Sequence, residues 1–190
     1  MVILDPQFTE SLPPSITAIS GVDALCQAIE SCWSINSTRQ SKKYAKEAIA
    51  IILSNLKSAV KNPSHRNRLN MVKAANLAGK AINISKTTAP HALSYTLTSN
   101  FNVPHGQAVS VFLPPFLEYN YQYCKDIYKL KNKILELMMD IGLKITLSEL
   151  GIHKKTDLKK ILDNVDTERL INNPRKITKS DLKNIIKQII

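Results

Sequence analysis

Apolar residues recur at helical spacing along nearly the whole chain. In "SGVDALCQAIESCW", Val22, Leu25, Cys26, Ile29 and Trp33 fall on one stripe. In "TRQSKKYAKEAIAIILSNLKSAVKN", Tyr44, Ala45, Ala48, Ile49, Ile52, Leu53 and Leu56 fall on another, with lysines opposite. This periodicity predicts helices over 20–34, 38–61, 64–82, 89–98, 106–119, 121–141, 146–150, 155–163, 166–171 and 178–189. Ser20, Thr38 and Ser180 stand where N-caps of the first, second and last belong. In "NNPRKITKSDL", Pro174 blocks a helix and Thr178 or Ser180 restarts one. Only "MVIL" at the start and "FNV" at 101–103 look extended. The 5 glycines form no Gly-x-Gly cluster, and strands do not alternate with helices. The chain therefore reads as all-α, without a nucleotide-binding fold of its own. Residues 142–190, shorter-helixed and rich in Lys, Asp and Asn, read as a peripheral layer of one domain spanning 1–190.

A length of 190 residues suffices for one core, and 44% hydrophobic against 22% charged residues indicates a globular chain. No run of eighteen apolar residues is present, and "MVILDPQFTESLPPS" lacks the basic region of a signal peptide. The expectation is a cytoplasmic protein without a membrane span. Cys26, Cys32 and Cys124 are odd in number and off zinc-ribbon spacing, so they read as reduced and structural.

The net charge of +11 raises nucleic acid as a partner, but its distribution argues otherwise. Residues 1–38 carry no Lys or Arg, and the basic residues gather on the outer faces of amphipathic helices. A solvated face accounts for them, and no nucleic-acid motif accompanies them.

Candidate chemistry lies in two stretches. Asp23, Gln27 and Glu30 recur at i, i+4 and i+7, so they share a second face of the first helix. In "KTTAPHALSYTLTSNFNVPHG", His91 and His105 each follow a proline near a helix start, where the dipole favours neutral, metal-binding imidazole. A continuous helix would hold them about 21 Å apart, at 1.5 Å per residue. Pro104 and "TSNFN" force a turn, so both can approach one point. Each residue also has a plainer reading. The histidines can cap or pack, Ser20-x-x-Asp23 can be a capping box, Gln27 can be a buried amide, and "SKTT" can be a capping turn.

Taken in order, "GVDALCQAIES", "KTTAPHALSY" and "VPHGQAVSVFLPPFLEYN" resemble the iron-containing alcohol dehydrogenase family over the entire chain. "LDPQFTESLPPSITAISGVDAL" is similar to the family's entry into its helical domain, and "NNPRKITKSDL" to that domain's end. The resemblance implies an all-α, dehydroquinate-synthase-like, metal-binding C-terminal domain, with residues 1–19 as its entry segment. It implies that Asp23, His91 and His105 ligate one divalent metal, Fe2+ or Zn2+, with Gln27 where the family carries a fourth ligand, a histidine. Many relatives have a further histidine where Tyr95 stands here, so Tyr95 either replaces a proton donor or packs. Glu30 is too far along its helix for a ligand and is expected to orient a neighbour.

"DALCQAIESCWS" with "NISKTTAPHALSY" looks most like the branch of phosphonoacetaldehyde reductases, which implies that Lys86, Thr87 and Thr88 help hold a phosphonate. The expected activity is a metal- and NAD(P)-dependent reduction of a small aldehyde or oxidation of an alcohol, in a homo-oligomer. The family's N-terminal nucleotide-binding domain is missing from this sequence, so activity is expected to need it as a partner. The alternative is a truncated, non-catalytic helical domain acting in oligomerisation or partner binding, with "LPPFLEYNYQY" on the exposed surface.

Overall fold

The computed structural model describes residues 3–190. Its helices in chain order are α1 (Gln7–Glu10), α2 (Pro14–Trp33), α3 (Arg39–Lys61), α4 (His65–Ser85), α5 (Ala89–Phe101), α6 (His105–Tyr119), α7 (Lys125–Tyr128), α8 (Lys131–Asp140), α9 (Lys155–Asp163), α10 (Thr167–Leu170) and α11 (Lys179–Lys187). No strand occurs among the described residues. "MVIL" begins on Met1 and Val2, outside the described residues, and Ile3 and Leu4 have no regular structure. "FNV" is not extended either: Phe101 ends α5, and Asn102 takes a left-handed φ of 53°, a turn that asparagine tolerates.

α2, α3 and α4 pack side by side, while α5 and α6 form a second pair against α2. One apolar core runs through all of them. Leu25 and Ile29 of α2, Ile52 and Leu56 of α3, and Phe112 and Phe116 of α6 are fully buried in it. α6 can close on α2 because residue 106 is glycine. A Cβ there would stand 2.1 Å from the Ile19 carbonyl oxygen, closer than atoms can pack. Gly106 adjoins His105, so this approach also sets the first turn that carries the histidine.

Three of the predicted helices also differ markedly from those observed. α2 begins at Pro14, six residues early, because proline is well suited to a first turn. Ser20 consequently lies inside the helix, where its hydroxyl donates back to the Ile16 carbonyl at 2.8 Å, so neither the Ser20 cap nor the Ser20–Asp23 capping box exists. The predicted 121–141 helix is broken into a 3-10 turn at Tyr121–Tyr123, then α7 and α8. The break lies beside a buried reciprocal amide pair, in which the Asn120 and Asn173 side chains each donate to the other at 2.8 and 3.0 Å. The predicted 146–150 helix is a turn. Glu149 Oε2 accepts from the Ile145 and Thr146 amides, and the Leu147 amide donates to the Ile189 carbonyl. The Leu150 and Gly151 amides close back on the Leu147 and Ser148 carbonyls, three residues before them, and Gly151 takes a left-handed φ of 76°, so the chain turns away before a helix can extend.

α9, α10 and α11 lie on the outside, each burying one narrow stripe such as Ile161 or Leu182–Ile185–Ile186. α11 is capped by Thr178, whose hydroxyl accepts from the Asp181 amide. All three cysteines are buried and free of disulfides, and burial pushes the thiols of Cys32 and Cys124 up to about 11 and about 12. No helix among the described residues is long and apolar enough to cross a membrane.

Candidate metal centre

α2 carries Asp23, Gln27 and Glu30 along one face, and the first turns of α5 and α6 bring His91 and His105 against it. Asp23 Oδ1 lies 3.4 Å from His91 Nε2 and 3.8 Å from His105 Nε2. One ligand atom from each of the three residues falls within 4.8 Å of the others. The imidazole rings meet edge to face at 5.4 Å.

Asp23 Oδ1 and His91 Nε2 are both buried and have no hydrogen-bond partner among the described residues. Such orphaned polar atoms are costly in a folded chain, and here both face the same point. One carboxylate and two imidazoles form a donor set suited to zinc or ferrous iron, so the residues fit a divalent metal.

The Gln27 amide nitrogen donates to Asp23 Oδ2 at 2.9 Å. A carboxylate only accepts, so this bond fixes which end of the amide faces the aspartate. Glu30 lies two turns beyond Asp23 and is fully buried, with its carboxylate against His91 Nδ1. Burial works to lower the His91 pKa, but the Glu30 and Asp23 carboxylates outweigh it and raise the group to about 9. His105 goes the other way: burial lowers its pKa, and its neighbour His91 adds to the effect.

The centre opens onto a cavity of about 640 Å³. Lys86 and Thr87 line it, whereas Thr88 does not. Thr88 is fully buried, and its hydroxyl is taken up by Glu30 Oε1 and the Trp33 indole. Lys86 has a φ of 60°, unusual for a lysine, at the residue that ends α4. Tyr95 is 38% exposed and tilts against the His105 ring at 5.6 Å, with the Arg169 guanidinium 4.8 Å from its ring centre.

Among the lining residues not anticipated from sequence, Glu168, Arg169 and Asn172 come from the outer layer. α10 is tied to α5 by the Asp166 amide on the Ala92 carbonyl, and Asn172 Nδ2 donates to the Thr87 carbonyl at 3.1 Å. No local pattern marks these residues, because their partners lie 74 to 85 positions away along the chain.

Comparison with known proteins bears on the family and the fold. Residues 17–135 match the Fe-containing alcohol dehydrogenase family, C-terminal. The chain is 31% identical over 208 aligned positions to long-chain-alcohol dehydrogenase 1 of Geobacillus thermodenitrificans, an alignment covering 97% of this chain and 53% of that protein. Phosphonoacetaldehyde reductase of Streptomyces viridochromogenes is 34% identical over 63% of this chain and 30% of its own length. Among solved structures, sulfoacetaldehyde reductase from Bifidobacterium kashiwanohense in complex with NAD+ superposes with a TM-score of 0.91 at 30% identity, over 97% of this chain and 53% of that one. The chain belongs to the iron-containing alcohol dehydrogenase family and has the fold of its C-terminal helical domain. It spans about half the length of the relatives it matches.

Proposed function

We propose that this chain is the metal- and substrate-binding half of a metal- and NAD(P)-dependent alcohol dehydrogenase or aldehyde reductase. The observation that carries the reading is the convergence of Asp23, His91 and His105 within 4.8 Å, with two buried atoms lacking partners. These three residues would hold Fe2+ or Zn2+, and Gln27, bonded to Asp23 Oδ2, would brace the carboxylate toward it. The ion supplies a Lewis acid for the reacting carbonyl or alcohol oxygen. NAD(P), when bound, would supply or take up the hydride at the substrate carbon, and the balancing proton would go to or come from the substrate oxygen. Tyr95, beside His105 and open to the cavity, is the group placed to exchange that proton. NAD(P) is bound by an N-terminal domain of the kind the relatives' greater length accommodates, as a partner of this half.

The cavity indicates the substrate class. Lys86 and Arg169 line it with Glu168 as the only carboxylate besides the metal site, so it favours a small aldehyde with an anionic head. A reductase of phosphonoacetaldehyde and one of sulfoacetaldehyde are among the similar proteins, and both names denote such a molecule. Reduction of phosphonoacetaldehyde to 2-hydroxyethylphosphonate is the specific reading, with Lys86, Thr87 and Arg169 at the phosphonate.

Metal analysis of the purified chain beside His91→Ala tests the proposal. Near-stoichiometric iron or zinc that disappears in the variant supports it. A wild-type chain that takes up neither metal overturns it. Gln27→His should tighten binding by restoring the family's fourth ligand, which would be the site's third imidazole.

A further inference from the structure

We propose that Glu30 is a positioning residue that holds the His91 imidazole with Nε2 free to face Asp23 and His105, and that Thr88 and Trp33 hold Glu30 in turn. The inference rests on the metal-centre reading and extends it to residues that touch no ligand.

A buried carboxylate survives only if its lone pairs are met. Those of Glu30 are. Its Oε1 accepts from the Thr88 amide at 2.9 Å, the Thr88 hydroxyl at 2.9 Å and, more weakly, the His91 amide at 3.5 Å, while Oε2 meets His91 Nδ1. The two amides belong to the first turn of α5, where backbone N–H groups have no helical partner. Glu30 therefore fixes the backbone that carries His91 as well as the ring.

The directions of these bonds leave one consistent arrangement. The Trp33 indole donates to Thr88 Oγ1 at 2.8 Å and can do nothing else, so the Thr88 hydroxyl proton points to Glu30. Glu30, already receiving that proton and an amide, accepts at Oε2 from a proton on His91 Nδ1. A histidine that donates from Nδ1 presents Nε2 as the ligand atom, and Nε2 is the buried atom left without a partner beside Asp23. A glutamate serving only to cap α5 would need neither the ring contact nor the relay from Trp33.

The test uses the 190-residue chain with Glu30→Gln, Thr88→Val and His91→Ala, each checked for folding by circular dichroism and thermal melting. Zinc affinity is read by competition with a chromophoric chelator. In the metal-free chain, proton NMR with 15N-labelled histidine reads the His91 Nδ1 proton. Glu30→Gln should fold and bind zinc about 10–100-fold more weakly, and the downfield, slowly exchanging Nδ1 proton of the wild type should shift or vanish. Thr88→Val should lose several-fold in affinity, and it carries the test if Glu30→Gln melts.

A folded Glu30→Gln that keeps wild-type affinity, while His91→Ala loses it, overturns this proposal and leaves the metal centre standing. A wild type that binds neither zinc nor ferrous iron overturns the metal centre, and the proton resonance then decides alone. Its presence in the wild type and loss in Glu30→Gln sustains the positioning role, and its absence from the wild type overturns it.

Discussion

Along α2 thirteen residues are buried, and from Gly106 to Leu117 every residue of α6 is, whereas α9 buries one residue and α11 three. The difference extends to charge. α2 carries only Asp23 and Glu30, both built into the metal centre, while the outer layer sets lysines around its single apolar stripes. The inner helices depend on contacts from several directions, and the outer ones on one stripe and their own caps. Yet α10, from the outer layer, gives Arg169 to the cavity. A thinly anchored element can therefore serve the site, provided a few long-range bonds tie it down.

Truncations of similar chemistry should separate the two regions most. Phe112→Ala, in the middle of the core, should cost about 4 kcal/mol, and Leu182→Ala in α11 about 2 kcal/mol. Urea unfolding of both variants checks this. Equal costs would mean that the outer layer is packed as tightly as the core.

Acid and base should act on the regions in opposite senses. His91 is raised from 6.5 to about 9 because Glu30 and Asp23 outweigh burial, with His105 the other group facing it. A group raised on folding stabilises fully below its unfolded pKa, so this contribution is present below pH 6.5 and lost as pH climbs through 9. At 1.36 kcal/mol per unit it amounts to about 3 kcal/mol at most. In the outer layer the Asp181 carboxyl is held low by the Thr178 hydroxyl and amide, and Glu149 by the Ile145 amide. Their small, solvent-exposed contributions are present above the ordinary carboxylate pKa and lost as pH falls through the lowered one. Unfolding with a chelator present, at pH 6 and pH 9.5, should show the wild type losing stability and His91→Gln losing much less. A parallel loss in both would remove His91 as the cause.

Gly106→Ala should cost about 2 kcal/mol, because the new Cβ must push the α6 backbone off Ile19. That displacement moves His105, so zinc affinity should fall in the same variant. Gly79→Ala is its control: a Cβ at that helical position meets nothing within 4 Å.

These contrasts also explain what could be read from the amino acids alone. The long helices α3 and α4 were legible within about three residues because amphipathic periodicity runs along both and, for α3, agrees with the Thr38 cap. The core helix α2 was mis-started because its first two turns are mostly polar or small, and Ser20 looks like a cap wherever it stands. The 121–141 break was not legible, and the buried pair beside it joins Asn120 to Asn173 from the other end of the chain. Asp23, Gln27, His91 and His105 stood out through spacing and family resemblance, and the structure brings all four together. Thr88 drew notice for its place in "SKTT", but folding turns it under the site against Trp33 and Glu30. Arg169 and Asn172 had no signal at all, because a four-residue helix carries too little periodicity to show which neighbour it joins.

The smallest effect tests how independent the outer layer is. Thr178 caps α11 by accepting from the Asp181 amide at 3.1 Å, and the Asp181 carboxylate accepts the Thr178 amide in return at 2.9 Å. Removing such a cap costs about 1 kcal/mol. In a nine-residue helix held by Leu182, Ile185 and Ile186, that is a large share of the local stability, since helices this short do not persist unsupported. Thr178→Ala should therefore speed amide exchange across α11 about fivefold, the equivalent of that energy, while α2 and α5 keep wild-type protection. α9 packs on both α11 and α5, with the Thr96 hydroxyl on the Asn164 carbonyl at its end, so it should follow α11 only in part, whereas α10, bonded to α5 through Asp166, should not follow it at all. Exchange that quickens in α10 as well would mean the outer layer opens as one unit, and Arg169 would then leave the cavity whenever α11 frays.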